Sequence, residues 1–204
     1  MSANSGPLPA QDPFSPEAID PLPCVRVWLA EAQALEPNDP NAAALATATP
    51  AGAPSVRMVL IKEITSDITA AGSFVFYTNA ESRKGVEIRA NPHAALCFHW
   101  KSLRRQIRVE GPLSEVSSQQ ADTYFHSRPR TSQLGALASD QSRTLTSRAA
   151  LEARVAELAQ IYPGELPRPP HWTGFALHPQ TVEFWRSQPD RLHDRMVYTR
   201  VPSG

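Results

Sequence analysis

The sequence predicts an α+β fold: a small, mostly antiparallel β-barrel with helices set between the strands. Three observations carry this. Short segments with the two-residue alternation of half-buried strands recur along the chain; within 104–117, Arg105, Ile107 and Val109 alternate with Gln106, Arg108 and Glu110. Segments with rough helical periodicity fall between them. The chain of 204 residues, with no internal repeat and no defensible second domain, is long enough to bury a real core, roughly 70% of its unfolded surface.

Taken in order, residues 1–20 read as an extended or disordered arm, since six prolines fall within the first 23 positions with little periodic hydrophobicity. Residues 21–204 form the single domain. Asp20 before Pro21 is an N-cap followed by proline at the first helical position. The helix then runs to about Glu36, with Val27, Trp28, Ala32 and Leu35 on one side, until "EPNDPN" breaks it. From "AAALATATP" through "AGAPSVRMVLIKEI" the pattern is β, with the turn at "PAGAP". "SFVFYTN" (73–79) is a further strand, and "SRKGVEIRANP" is a short helix opened by Ser82 and closed before Pro92. Strands are expected at 93–101 and 104–117, and helices at 118–127 and 144–160, the last from Leu145, Ala149, Val155, Leu158 and Ile161. After the proline-rich "YPGELPRPP", the segments "HWTGFALHPQTVEFW" and "RMVYTR" return to strand.

Formal net charge is zero, but unevenly spread. Residues 1–82 carry three basic and nine acidic side chains, and residues 83–154 carry twelve basic and six acidic. A basic middle third in a neutral chain indicates a local anion site, not a polyanion-binding surface. Nucleic acid is therefore not expected as a partner, although basic residues do lie near Trp100, Tyr124 and Phe125. Seventeen of the twenty cations are arginine. A GC-rich genome also inflates arginine, so only the placement of these residues counts. Cys24 and Cys97 have no pair spacing, which fits a reducing compartment. No basic stretch followed by an apolar run opens the chain, and no apolar run approaches the ~18 residues of a membrane span. A cytoplasmic protein without membrane contact is expected.

Four constellations bear on chemistry. In "RMVLIK" (57–62), period two sends Arg57 and Lys62 to opposite faces, so they suit two neighbouring anions better than one; charged gatekeepers of an edge strand are the plain alternative. In "FYTNAESRKG", Arg83 and Lys84 stand in the first turn of a helix, where cations oppose the helix dipole unless an anion binds there. His93, Cys97 and His99 share one strand face, but no fourth ligand is evident and no metal is expected. "YFHSRPRTSQLGALASDQS" (124–142) sets six hydroxyl side chains and two arginines beside a single acid, Asp140. No glycine-rich nucleotide loop and no nucleophile elbow is present.

These segments, with "RQIRVEG", "WTGF", "VEFW" and "RLHDR" following in order, resemble the pyridoxamine 5′-phosphate oxidase family over roughly residues 40 to 200. The resemblance implies a mostly antiparallel split β-barrel with flanking helices, assembled as a homodimer with FMN in clefts between the subunits. It implies oxidation of pyridoxamine or pyridoxine 5′-phosphate to pyridoxal 5′-phosphate, with O2 as electron acceptor and H2O2 as product. Carried over by position, the cofactor would meet Arg57, Met58, Val59, Leu60, Ile61, Lys62, Tyr77, Thr78, Arg83, Lys84, Gln106, Gln141, Ser142, Trp185 and Arg195. The substrate would meet Lys62, Tyr124, Arg128 and Ser132 at its phosphate. Arg191 and His193, two apart and so on one strand face, would hold its ring as the catalytic pair. Two alternatives share the fold: a flavin oxidase for another reduced ring of dihydrophenazine type, and a non-catalytic protein that binds FMN or pyridoxal phosphate. The chain departs from the family pattern in its acidic, proline-rich arm and in ending at "YTRVPSG".

Overall fold

A computed structural model describes residues 11–65 and 72–201. The first half of the expected arm, residues 1–10, lies outside the described residues, whereas residues 11–20 fold into turns against the domain. There the Phe14 ring lies 6.2 Å from Trp28, and the Tyr198 hydroxyl donates to the Pro13 carbonyl.

Helix α1 (Pro21–Leu35) begins as its sequence dictates: the Asp20 carboxylate accepts the Leu22 N–H, and proline occupies the first turn. It buries Leu22, Cys24, Val25, Trp28 and Ala32, while Leu35 turns out to solvent at 61% exposure. Trp28 meets Phe184 edge-on at 5.2 Å.

Nine strands follow: β1 (Ala42–Ala48), β2 (Pro54–Leu60), β3 (Glu63–Thr65), β4 (Ser73–Asn79), β5 (His93–Trp100), β6 (Arg105–Glu115), β7 (Trp172–Leu177), β8 (Thr181–Arg186) and β9 (Asp194–Thr199). Every pairing is antiparallel, in the order β2-β1-β5-β6-β7-β4-β3, with β8 between β6 and β9. The long strand β6 divides the barrel. Residues 105–110 pair with β8, whereas Leu113–Glu115 pair with β7. Gly111 sits at the changeover, where a Cβ would stand 2.0 Å from the His178 carbonyl oxygen. Only a residue without a side chain lets the two halves approach there.

The register assigns side chains to two faces. Arg57, Leu45, Leu96, Val109 and Val182 are directly opposed across successive strands and so share the inner face. There Leu45, Leu96, Ile107, Val109, Phe98 and Phe184 form the sealed core. Met58, Ala44, Cys97, Arg108, Glu183 and Val197 are likewise opposed, on the face away from the core.

Helix α2 (Arg83–Ala90) starts at Ser82, whose hydroxyl caps Gly85 N–H. Helices α3 (Ser118–Ser127), α4 (Arg130–Ala138) and α5 (Arg148–Ile161) gather around a second small core of Phe125, Leu134, Leu166 and Trp172. Two local expectations fail. The helix expected at 144–160 begins only after Ser147, which caps Ala150 N–H and leaves Leu145 exposed outside it. Arg191 and His193 do not share a strand face. Pro189–Arg191 form a 3-10 turn with positive φ at Asp190 (55°) and Arg191 (62°), and β9 starts only at Asp194. The Leu192 N–H donates to the Pro189 carbonyl, closing the turn and preventing strand pairing.

Candidate active site

Strands β2 and β4, the start of α2, and the α3–α4 corner enclose a cavity of about 450 Å³. Its walls are Met58, Val59 and Leu60 from β2, then Lys62, Tyr77, Thr78, Lys84, Tyr124, Arg128, Pro129, Ser132, Gln141 and Trp172. Three of these are cations and none is an acid.

One wall is an aromatic stack. The Tyr77 ring lies 3.9 Å from Tyr124 and 5.5 Å from Trp172, with interplanar angles of 15° and 9°. Gly174 makes this possible, because it is the β7 partner of Tyr77 and a Cβ there would stand 2.8 Å from the tyrosine ring. The Arg128 guanidinium lies 4.9 Å from the centre of the Trp172 ring, a cation–π contact. Its Nη1 is buried and has no hydrogen-bond partner among the described residues, and burial pushes the guanidinium's pKa down. A buried unpaired donor carries a penalty that an acceptor group in the cavity relieves.

Lys84 is 8% exposed. Its ammonium donates to Gln141 Oε1 at 2.9 Å, Thr78 Oγ1 at 3.2 Å and Ser82 Oγ at 3.3 Å. Burial lowers its pKa first, and the Arg57 charge adds to the effect. All three partners are neutral, so the positive charge is left uncompensated for a ligand.

Arg57 and Arg83 stand beside this cavity and converge on one acid, Glu87. Arg57 lies 3.3 Å from Glu87 Oε2, and Arg83 Nε donates to Oε1 at 2.9 Å. Burial opposes ionisation of Glu87, yet hydrogen bonds from Ser55, Thr47 and Arg83 outweigh it and hold the carboxyl down at about 2. Ile61 turns into the core. Ser142, beside the cavity residue Gln141, is exposed with φ of 70°.

The remaining expected residues form a second group. Gln106 opposes Trp185, and Trp185 opposes Arg195, so all three share the outer face of β6, β8 and β9. The His193 ring lies 4.7 Å from Trp185. The Gln188 backbone N–H donates to His193 Nδ1 at 3.1 Å. In the neutral ring the lone pair is therefore on Nδ1 and the proton on Nε2. Gln188 is itself tied down through its side chain to Asp194, which also accepts two bonds from Arg186. None of Gln106, Trp185, Arg191, His193 and Arg195 lines the cavity.

Sequence reasoning did not single out Trp172, Pro129 or Glu87. The only signal for Trp172 was its place in "WTGF", and for Glu87 its spacing of four from Arg83. Among the described residues, no group of three His, Cys, Asp or Glu side chains could hold a metal ion. Nor is any described helix long and apolar enough to cross a membrane.

Fold and site together define a split-barrel protein whose cavity is lined by cations and backed by stacked aromatic rings. The chain belongs to the pyridoxamine 5′-phosphate oxidase family. Residues 29–162 match the family model described as pyridoxamine 5′-phosphate oxidase, and residues 172–204 match the pyridoxine 5′-phosphate oxidase C-terminal dimerisation region. The chain is 59% identical over 189 residues to a pyridoxine/pyridoxamine 5′-phosphate oxidase of Rhodospirillum rubrum, covering 92% of this chain and 94% of that one. A protein of the same name from Gluconobacter oxydans is 55% identical, covering 91% and 90%. Among solved structures, PhzG from Burkholderia lata 383, in complex with tetrahydrophenazine-1-carboxylic acid, superposes with a TM-score of 0.85. It is 32% identical and covers 97% of this chain and 93% of that one.

Proposed function

We propose that the chain is an FMN-dependent oxidase that converts pyridoxamine or pyridoxine 5′-phosphate to pyridoxal 5′-phosphate, with O2 as acceptor and H2O2 as product. The observation that carries this is the acid-free cavity with the unpartnered Nη1 of Arg128 in its wall. Family membership narrows the anion to a phosphate ester.

In this reading Arg128 grips the substrate phosphate together with Lys62, Tyr124 and Ser132, all four of which line the same cavity. The stack behind Arg128 shields its Nη1 from water, which strengthens that donor's pull on an anion. The FMN phosphate and ribityl chain fall to Arg57, Arg83 and Lys84, with Tyr77, Thr78, Gln141 and Ser142 beside them. Met58, Val59 and Leu60 supply the apolar wall. The donor set fits such a group, since the buried Lys84 ammonium has only neutral partners. When bound, FMN supplies the acceptor for hydride from the substrate carbon and returns the electrons to O2. The protein contributes position and field.

His193 acts as a donor in this scheme. Its Nδ1 is occupied by the Gln188 N–H, so Nε2–H is the group offered to the substrate ring. Arg191 contributes a guanidinium that stabilises negative charge on the substrate ring. Both act across a subunit boundary. Met58 and Leu60 of the cavity wall and the Gln106–Trp185–Arg195 row share the outer face, but β1, β5 and β6 separate β2 from β8, a span of roughly 19 Å along the sheet. We therefore read the two groups as halves of one flavin site that belong to different chains. In a homodimer paired through this face, one chain's cavity meets the other's second group. The match to a dimerisation region over 172–204 supports that arrangement.

An absorbance scan of purified protein, then peroxide measurement with each B6 phosphate, tests the function. A flavin spectrum bleached by one or both substrates is expected. A yellow protein that neither substrate reduces would instead favour another reduced ring as substrate, or no catalysis at all.

A further inference from the structure

The acid between the two arginines binds no ligand in this scheme, yet it is the most heavily engaged carboxylate near the cavity. Glu87 lies one turn beyond Arg83 on α2 with its side chain 5% exposed. Its Oε2 accepts from Thr47 on β1 and Ser55 on β2, and its Oε1 accepts from Arg83. Arg57 in turn donates to Thr47 Oγ1, to Ser55 Oγ and, at 3.3 Å, to the Leu45 carbonyl. Each hydroxyl thus accepts from Arg57 and donates to Glu87. The network links two strands and a helix.

We propose that Glu87 is the positioning residue of the cofactor-phosphate site, holding the Arg57 and Arg83 guanidiniums in place. With Glu87 removed, like charges face one another without an intervening acid. Arg83, whose side chain is 63% exposed, is then free to swing into solvent. Ordering it again falls on the ligand as an entropic cost.

This inference rests on the reading that Arg57 and Arg83 meet the FMN phosphate, so its test uses two ligands that differ only in that phosphate. The dissociation constants of FMN and riboflavin are measured on flavin-stripped protein by quenching of flavin fluorescence. Glu87→Gln, which keeps the shape and removes the charge, is expected to weaken FMN about 10-fold while riboflavin stays within a factor of ~2. Thr47→Val, which breaks the network from β1, is expected to lower the same FMN-to-riboflavin preference. Equal weakening of both ligands would show Glu87 to be a structural stitch only, and unchanged FMN binding would show it to be idle; either overturns the proposal. The Arg57→Ala/Arg83→Ala double variant separates the two levels. If it leaves the FMN-to-riboflavin preference intact, the phosphate-site reading falls and the role of Glu87 with it. If it abolishes the preference while Glu87→Gln does not, only the role of Glu87 falls.

Discussion

Arg128 shows how one residue's environment gives it a task. It caps the end of α3, where its own N–H bonds to Phe125 O and its carbonyl accepts from Gln133. The backbone is therefore fixed and the guanidinium is delivered to the Trp172 face without a carboxylate partner. Arg128→Ala is expected to leave the protein yellow while raising KM for pyridoxine 5′-phosphate. Loss of one charge-assisted contact of ~2–3 kcal/mol corresponds to a fall of roughly 30- to 150-fold in kcat/KM. Steady-state kinetics with saturating FMN check this, and release of flavin with an unaltered KM would reverse the assignment of the two anions. Glu87 is the opposite case, a charged residue fully paired inside the protein.

At the scale of elements, the changeover in β6 is the most constrained point. Gly111→Ala places a methyl against the His178 carbonyl, a backbone atom that cannot swing aside. A loss of about 1–3 kcal/mol is expected, read as a lower Tm in thermal unfolding. Elements whose signals are local were legible in the sequence: α1 starts at its Asp20–Pro21 cap, and β4 occupies 73–79 as expected. Helix α4 was not foreseen, because its N-cap is Pro129 with no side-chain hydrogen bond and Gly135 lies within it. The 189–191 turn was misread because its positive φ angles belong to Asp and Arg, not glycine. In the site, Lys62, Tyr77, Thr78, Lys84, Tyr124, Arg128, Ser132 and Gln141 were named from motif position and meet in one cavity. Trp172 was hidden because its contact with Tyr77 depends on the β4–β7 register. Glu87 was hidden because its donors Thr47 and Ser55 are 40 and 32 residues away.

For the whole molecule, the proposed division of the site between two chains can be tested by mixing variants. Arg128→Ala and Trp185→Ala variants should each be impaired as homodimers. When unfolded and refolded together, they should recover about one quarter of wild-type sites, since each mixed dimer carries one intact site and one doubly altered site. Activity measured across mixing ratios checks this, and strictly additive residual activity would place both residues in one chain's site.

In the proposed dimer, strand β2 would be exposed before two chains meet. It ends the path of paired strands, and its outward side chains Val56, Met58 and Leu60 are 68%, 62% and 38% exposed. A newly folded chain thus presents an unpaired backbone edge beside an apolar strip, the combination that invites indiscriminate strand addition. The lifetime of this species is set by a race. Correct pairing is second order in chain concentration and slow when chains are scarce, whereas capture by another exposed edge needs no shared symmetry. Refolding yield is therefore expected to depend on protein concentration, falling where edge-to-edge capture outpaces pairing of two chains.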